Sequence, residues 1–279
     1  MPKQFVQVGD LLIHCDLADY TEPWRADAPE TFLLHSGYCR TVEFWRAWVP
    51  LLGRDYRVLR MDSRGYGGTK PVPGAPVTPD MLVRDAIGLM DALGIERVHW
   101  VGEVTGGTLG LVAALNHPHR IASITLCNSY AKMSVETVSN YALGETSQEA
   151  AIEKYGVAEW CRRTLPYRMD IKRAPPGIGE WMANEMARTP VHVATEASKL
   201  FSGVDLMPRL AEVLAPTLMV IGGQCAERLK QHAVQMNERM PRSKIVELEG
   251  FGYGIHFLAP AAVAAEVRSF LRENGMVRK

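Results

Sequence analysis

The feature that most constrains this chain is a repeated change of hydrophobic period. Short apolar runs that end in glycine alternate with stretches whose apolar residues recur at helical spacing. "ETFLLHSG" (30–37) reads as a buried strand, and "TVEFWRAWVPLLG" (41–53) as a helix stopped by Gly53. "YRVLRMDSRG" (56–65) is the next strand. A turn-rich loop, "GYGGTKPVPGAPV", leads to Thr78 as a helix cap with Pro79 in the first turn, and that helix closes at Gly94. "ERVHWVGE" is a strand, "TGGTLGLVAALNHP" a helix and "RIASITLCNS" (120–129) another strand. The rhythm breaks over 130–205, which reads as short helices interrupted by "RAPPGIG". It resumes with "APTLMVIGG" (215–223), "AERLKQHAVQMNERM" (226–240), "SKIVELEG" (243–250) and "PAAVAAEVRSFLREN" (260–274). Alternating units of this kind predict an α/β chain with a doubly wound, mostly parallel sheet. The first 28 or so residues predict an antiparallel hairpin at one edge.

Composition narrows the function classes. A formal net charge of zero and the lack of a basic stripe argue against a nucleic-acid partner. No stretch approaches the ~20 apolar residues of a membrane span, and "MPKQFVQVGDLLIHC" lacks a secretory pattern. The five cysteines are widely spaced without a CxxC, which predicts reduced thiols and a cytoplasmic setting. The histidines form no zinc spacing, so neither a metal nor any other cofactor is expected. The partner is expected to be a small-molecule substrate. A homodimer is allowed but not signalled.

Residues 101–107 read "VGEVTGG" between a strand and a helix. That is the setting of a nucleophile elbow, G-x-S-x-G, with Gly102 and Gly106 correctly spaced. The residue at its apex is Val104 instead of serine. Valine has no lone pair and no proton to give, so it cannot form an acyl-enzyme. Thr105 lies one residue past the apex and does not replace the serine. Cys39 and Cys225 are the thiols nearest the expected pocket, and neither has a thiolate-stabilising partner in sequence.

"LLHSG", "MDSRGYGGT", "VGEVTGG" and "GFGYGIHFLAPAAVAAEVRSFL" follow one another in order, and together the chain resembles the α/β-hydrolase superfamily over roughly residues 5–275. The resemblance implies an eight-stranded sheet with a core of 1–129 and 206–279 and a helical cap over 130–205. It implies His256 as general base and an oxyanion hole built from the Thr105 N–H and that of Gly37 or Tyr38. The inserted Ser36 leaves the choice between those two open. It implies an acid after "APTLMVIGG", where Glu227 is the nearest carboxylate and reads equally as a helix N-terminal charge. The alternative acid position holds Asn128 and Ser129. Asp62 and Arg64 read as structural. Glu103 is expected to be buried, either with a perturbed pKa or as a hydrogen-bonding brace of the elbow. His35 is expected to pack under the oxyanion loop.

The implied activity is that of an esterase, lactonase or C–C hydrolase, with a small apolar ester, lactone or β-carbonyl compound as substrate. Trp160, Trp181 and Met133 are expected at the substrate wall, although cap aromatics and methionines also serve as the cap's own core. With Val104 at the apex three readings stay open. The chain is a variant of a serine hydrolase, or an enzyme that moves a proton through His256 and an oxyanion hole, with a lyase reaction included, or a ligand-binding homologue without turnover.

Overall fold

The computed structural model describes residues 4–24, 27–74 and 77–276. Residues 75 and 76 of the turn-rich loop, the start of the N-terminal segment and two residues after its hairpin lie outside the described residues.

Eight strands form one sheet: β1 (Gln4–Val8), β2 (Leu11–Ala18), β3 (Thr31–His35), β4 (Arg57–Met61), β5 (Val98–Glu103), β6 (Ile121–Cys127), β7 (Thr217–Gly222) and β8 (Ser243–Leu248). Their order is β1-β2-β4-β3-β5-β6-β7-β8. β1 and β2 form the expected antiparallel edge, and β4 through β8 with β3 are parallel. Strands β3, β5 and β7 are buried along their whole length, as strands covered on both faces must be.

The helices are α1 (Val49–Leu52), α2 (Pro79–Ala92), α3 (Thr105–Asn116), α4 (Val135–Ala142), α5 (Gln148–Arg163), α6 (Ile178–Met186), α7 (Val191–Ser202), α8 (Glu227–Arg239), α9 (Ile255–Leu258) and α10 (Pro260–Glu273). Two apolar layers flank the sheet. One joins α2, α3 and α8 through Val83, Leu111 and Met236. The other joins α10 to Trp45, Trp48 and Leu52 through Val263 and Phe270. Thr78 caps α2 as expected, its hydroxyl accepting from the Met81 N–H at 3.1 Å.

One helix differs from expectation. The stretch 41–53 is mainly a 3-10 helix over Val42–Trp48, with only the four residues of α1 in α form. Its start is pinned from outside, because the Val42 N–H donates to Asp62 Oδ1 at 2.7 Å. Asp62 also accepts from His14 and from the Gly68 N–H, and Arg64 pairs with Asp85 at 2.9 Å. Both residues therefore brace loops at the strand ends.

Between β6 and β7 the chain leaves the sheet and makes α4 to α7, with α5 packed against α6 and α7. A bridge between Lys132 and Asp205 ties the two ends of this segment together. The sheet's direction of build reverses beside β3: β4 lies on one side of it and β5 on the other. Open α/β sheets place ligands at the carboxyl ends of strands at such a point.

Candidate active site

The elbow is present in geometry. Val104 sits between β5 and α3 with φ 49° and ψ −114°. A β-branched residue at positive φ is an outlier that costs about 1–3 kcal/mol and persists only where the surroundings impose it. They do so here. The Val104 N–H donates to the Cys127 carbonyl at 3.2 Å, and its carbonyl accepts from the Thr108 N–H at 3.2 Å. A Cβ at Gly102 would overlap the Gly106 backbone, and one at Gly106 would overlap the His35 carbonyl. Glycine at these two positions lets β5, α3 and the loop after β3 meet, which is why the spacing was legible.

The loop after β3 departs from an open oxyanion hole. Glu103 is fully buried. Its Oε1 accepts from the Gly37 N–H at 2.6 Å and its Oε2 from Arg40 Nη1 at 2.6 Å. Glu103 thus acts as the hydrogen-bonding brace expected of it. The Gly37 N–H is thereby engaged inside the protein. Tyr38 lines the cavity, and its hydroxyl donates to the Ala194 carbonyl on α7. Thr105 heads α3, so its N–H has no intrahelical acceptor. His35 packs below, stacked on Trp100 with ring centroids 5.1 Å apart. Burial pushes its pKa down to about 4.

His256 is the second residue of α9 and follows Gly254, whose φ of 78° makes the turn into it. The side chain is buried against the Trp45 ring, with centroids 4.9 Å apart. Its carbonyl accepts from Trp48 Nε1 at 2.6 Å, which anchors the backbone. Nε2 is buried without a hydrogen-bond partner. Burial, and then the nearby Arg40 charge, hold the imidazole well below the usual histidine range, so it is neutral at pH 7.

No carboxylate orients this imidazole among the described residues. Glu227 is exposed on the first turn of α8 and is not part of the cavity wall. The helix carries it outward, as its alternative reading as an N-terminal charge implied. Asn128 does reach the cavity, but its Oδ1 accepts from the Gly222 N–H at 3.1 Å, tying β6 to β7. Ser129 Oγ donates to backbone carbonyls of Gly102 and Cys127. Cys39 and Cys225 lie outside the cavity wall, and burial pushes each thiol up to about 12.

Above Val104 lies a cavity of about 290 Å³. Val104, Thr105, Tyr38 and His256 form its floor with Arg40 and Glu103, while Trp160 and Met133 line it from the segment between β6 and β7. Trp181 does not. It is partly buried and packs at 4.8 Å on Phe44, which belongs to the 3-10 helix after β3. Sequence reasoning missed Arg40, Gln148 and Arg168, which all line the cavity. The only local signal was Arg40's place three residues after Gly37 in the loop following β3. No group of three or more histidine, cysteine or acidic side chains suited to a metal ion occurs among the described residues. No described helix is long and apolar enough to cross a membrane.

Comparison with known proteins agrees with the fold. Residues 30–151 match the family model for the alpha/beta hydrolase fold. A putative carbamate hydrolase RutD of Caulobacter segnis is 34% identical over 110 residues, 39% of this chain and 41% of that protein. The like-named protein of Caulobacter sp. strain K31 is 26% identical over 258 residues, 87% of this chain and 90% of that one. The crystal structure of an enol-lactonase from Burkholderia xenovorans LB400 superposes with a TM-score of 0.84 at 21% identity, covering 96% of this chain and all of that one.

Proposed function

We propose that this chain, which belongs to the α/β-hydrolase superfamily, takes a small ester, lactone or β-carbonyl compound into the cavity above Val104 and transforms it without an acyl-enzyme. Residues 130–205 act as the cap that covers the substrate. The observation that carries this reading is the pairing of an intact elbow with a side chain that cannot attack. Val104 keeps the strained apex conformation, and a neutral His256 with an unpartnered Nε2 faces the same cavity.

The chemistry left to such a site is proton transfer. A neutral imidazole accepts a proton at Nε2 from water, or from a carbon beside a carbonyl. The charge that develops on the carbonyl oxygen meets the Thr105 N–H at the head of α3. Tyr38 stands as the candidate for the second donor, because the Gly37 N–H already serves Glu103. Without a carboxylate on its other nitrogen, His256 is a weak base. The reading therefore favours activated esters, strained lactones and acidic β-carbonyl protons over ordinary amides. The names of the similar proteins, a putative carbamate hydrolase and an enol-lactonase, support a compact carbonyl compound as substrate.

A second reading has its own observation. Glu103 fills the Gly37 donor, and burial, with the Arg40 charge second, depresses the His256 pKa, so two catalytic elements are held back at once. A protein that binds its ligand without turnover has no need of either. The test is a panel of aryl esters, enol-lactones and β-keto acids, assayed with the unmodified protein and with His256→Ala. Turnover that falls at least a hundredfold in the variant supports proton transfer. Saturable binding with no product by mass spectrometry supports the second reading. Turnover unchanged in His256→Ala contradicts the first.

A further inference from the structure

Among the described residues, buried arginines come with carboxylates, with one exception. Arg40 pairs with Glu103 at 2.6 Å and Arg64 with Asp85 at 2.9 Å. Arg168 is as buried as Arg64, 6% exposed, yet makes no ion pair among the described residues. Its guanidinium lies 4.2 Å above the Trp160 ring and 4.8 Å above the Tyr141 ring. Its Nε donates to Thr164 Oγ1 at 2.8 Å, while Nη2 is buried with no acceptor. Removing a cation from water without a counter-charge is costly, and π faces and one hydroxyl return only part of that cost.

The orphaned donor does not stand alone. Tyr130 Oη, Gln148 Oε1 and His256 Nε2 are also buried without partners, and all four residues line the cavity above Val104. Among the described residues Glu103 is the only carboxylate in that wall, and Arg40 already neutralises it. Lys132 and Arg228, farther out in the wall, are paired with Asp205 and Glu136. The uncompensated charge of the wall is therefore one positive charge, placed on a rigid, aromatic-backed fork.

Resting on the reading of this cavity as the substrate site, we infer that the substrate carries a carboxylate and that Arg168 is the residue that recognises it. A planar monoanion matches one guanidinium in charge and in geometry. A phosphate monoester would bring close to two charges to a wall with one uncompensated cation. The Tyr130 hydroxyl supplies a second donor, and the apolar surface of Trp160 and Phe201 takes the carbon chain between the carboxylate and the carbonyl that His256 addresses. The apolar ester expected from the sequence thereby becomes a keto acid or an acid-bearing ester or lactone.

The test uses short keto acids of four to eight carbons and their methyl esters, with Kd measured by calorimetry. The protein is compared with Arg168→Gln, whose fold is checked by thermal unfolding, and with Met133→Trp, which fills the cavity. The expected result is that at least one acid binds tenfold or more tighter than its methyl ester. Arg168→Gln erases that preference and changes ester binding less than about twofold, a charge-assisted contact being worth roughly that tenfold or more. Met133→Trp weakens acid and ester together. No preference in the unmodified protein, a preference that survives Arg168→Gln, or tighter binding of the matched phosphonate overturns the inference while leaving the site in place. Failure of every probe to bind, or acid binding untouched by Met133→Trp, removes the site reading and the inference with it.

Discussion

Replacing Arg40 by leucine should destabilise this protein more than any surface substitution. The mutation leaves the Glu103 carboxylate fully buried, with only the Gly37 N–H at 2.6 Å to compensate its charge. Breaking a buried pair from one side costs about 3–5 kcal/mol, because an unpaired charge remains. Unfolding entropy of about 2.1 cal/mol/K per residue over 279 residues converts this to a fall in Tm of roughly 5–8 °C. The double variant Arg40→Leu/Glu103→Leu removes both charges and should recover most of that loss, since apolar replacements of buried pairs are often neutral. Thermal unfolding of the four proteins in one buffer gives the coupling directly. A fall below about 2 °C for Arg40→Leu, or a double variant no better than the two losses combined, would refute the claim that this pair braces the elbow.

Three further outcomes follow from the same geometry. Val104→Ser should raise hydrolysis of an activated aryl ester by about a hundredfold and no more, because a serine–histidine pair without its carboxylate keeps only roughly that gain; a stopped assay with nitrophenyl acetate measures it. Val104→Gly should raise the urea midpoint, since relief of about 1–3 kcal/mol of apex strain exceeds the roughly 1 kcal/mol of added chain entropy. Stability should fall on acidification from pH 7 to 5. His35 and His256 have depressed folded values, so the unfolded chain takes up protons first, below about 6.5. For His35, with a folded value of about 4, the loss at pH 5 is about 2 kcal/mol. Urea midpoints across that range should show a shallower slope in His35→Gln.

The readable parts of the molecule were those where local chain geometry leaves one choice of residue. Gly102 and Gly106 have no room for a Cβ, and Gly254 makes a left-handed turn into His256, so these landmarks stand at fixed positions in sequence. The unreadable parts depend on contacts between distant segments. Arg40 meets Glu103 across 63 positions, and nothing near either residue announces the partner. Arg168 was invisible for the opposite reason: its significance lies in having no carboxylate. Counting along the chain brought Glu227 close to the acid position but could not say that the first turn of α8 faces solvent. Trp160 and Trp181 are both tryptophans of the helical segment, and only packing separates the one that lines the cavity from the one that packs on Phe44. The 41–53 stretch is helical and stops at Gly53 as read, but apolar spacing did not distinguish the 3-10 turns of Val42–Trp48 from α form.

The central claim is that the cavity above Val104 works without a covalent intermediate. Rapid mixing with nitrophenyl acetate, followed by intact-mass analysis at the same time points, tests it most directly. An acyl-enzyme announces itself as a burst of nitrophenol equal to the enzyme concentration. The account predicts release that is linear from the first turnover, a protein mass that stays unmodified, and loss of that release in His256→Ala. A stoichiometric burst accompanied by one added acetyl group would contradict it.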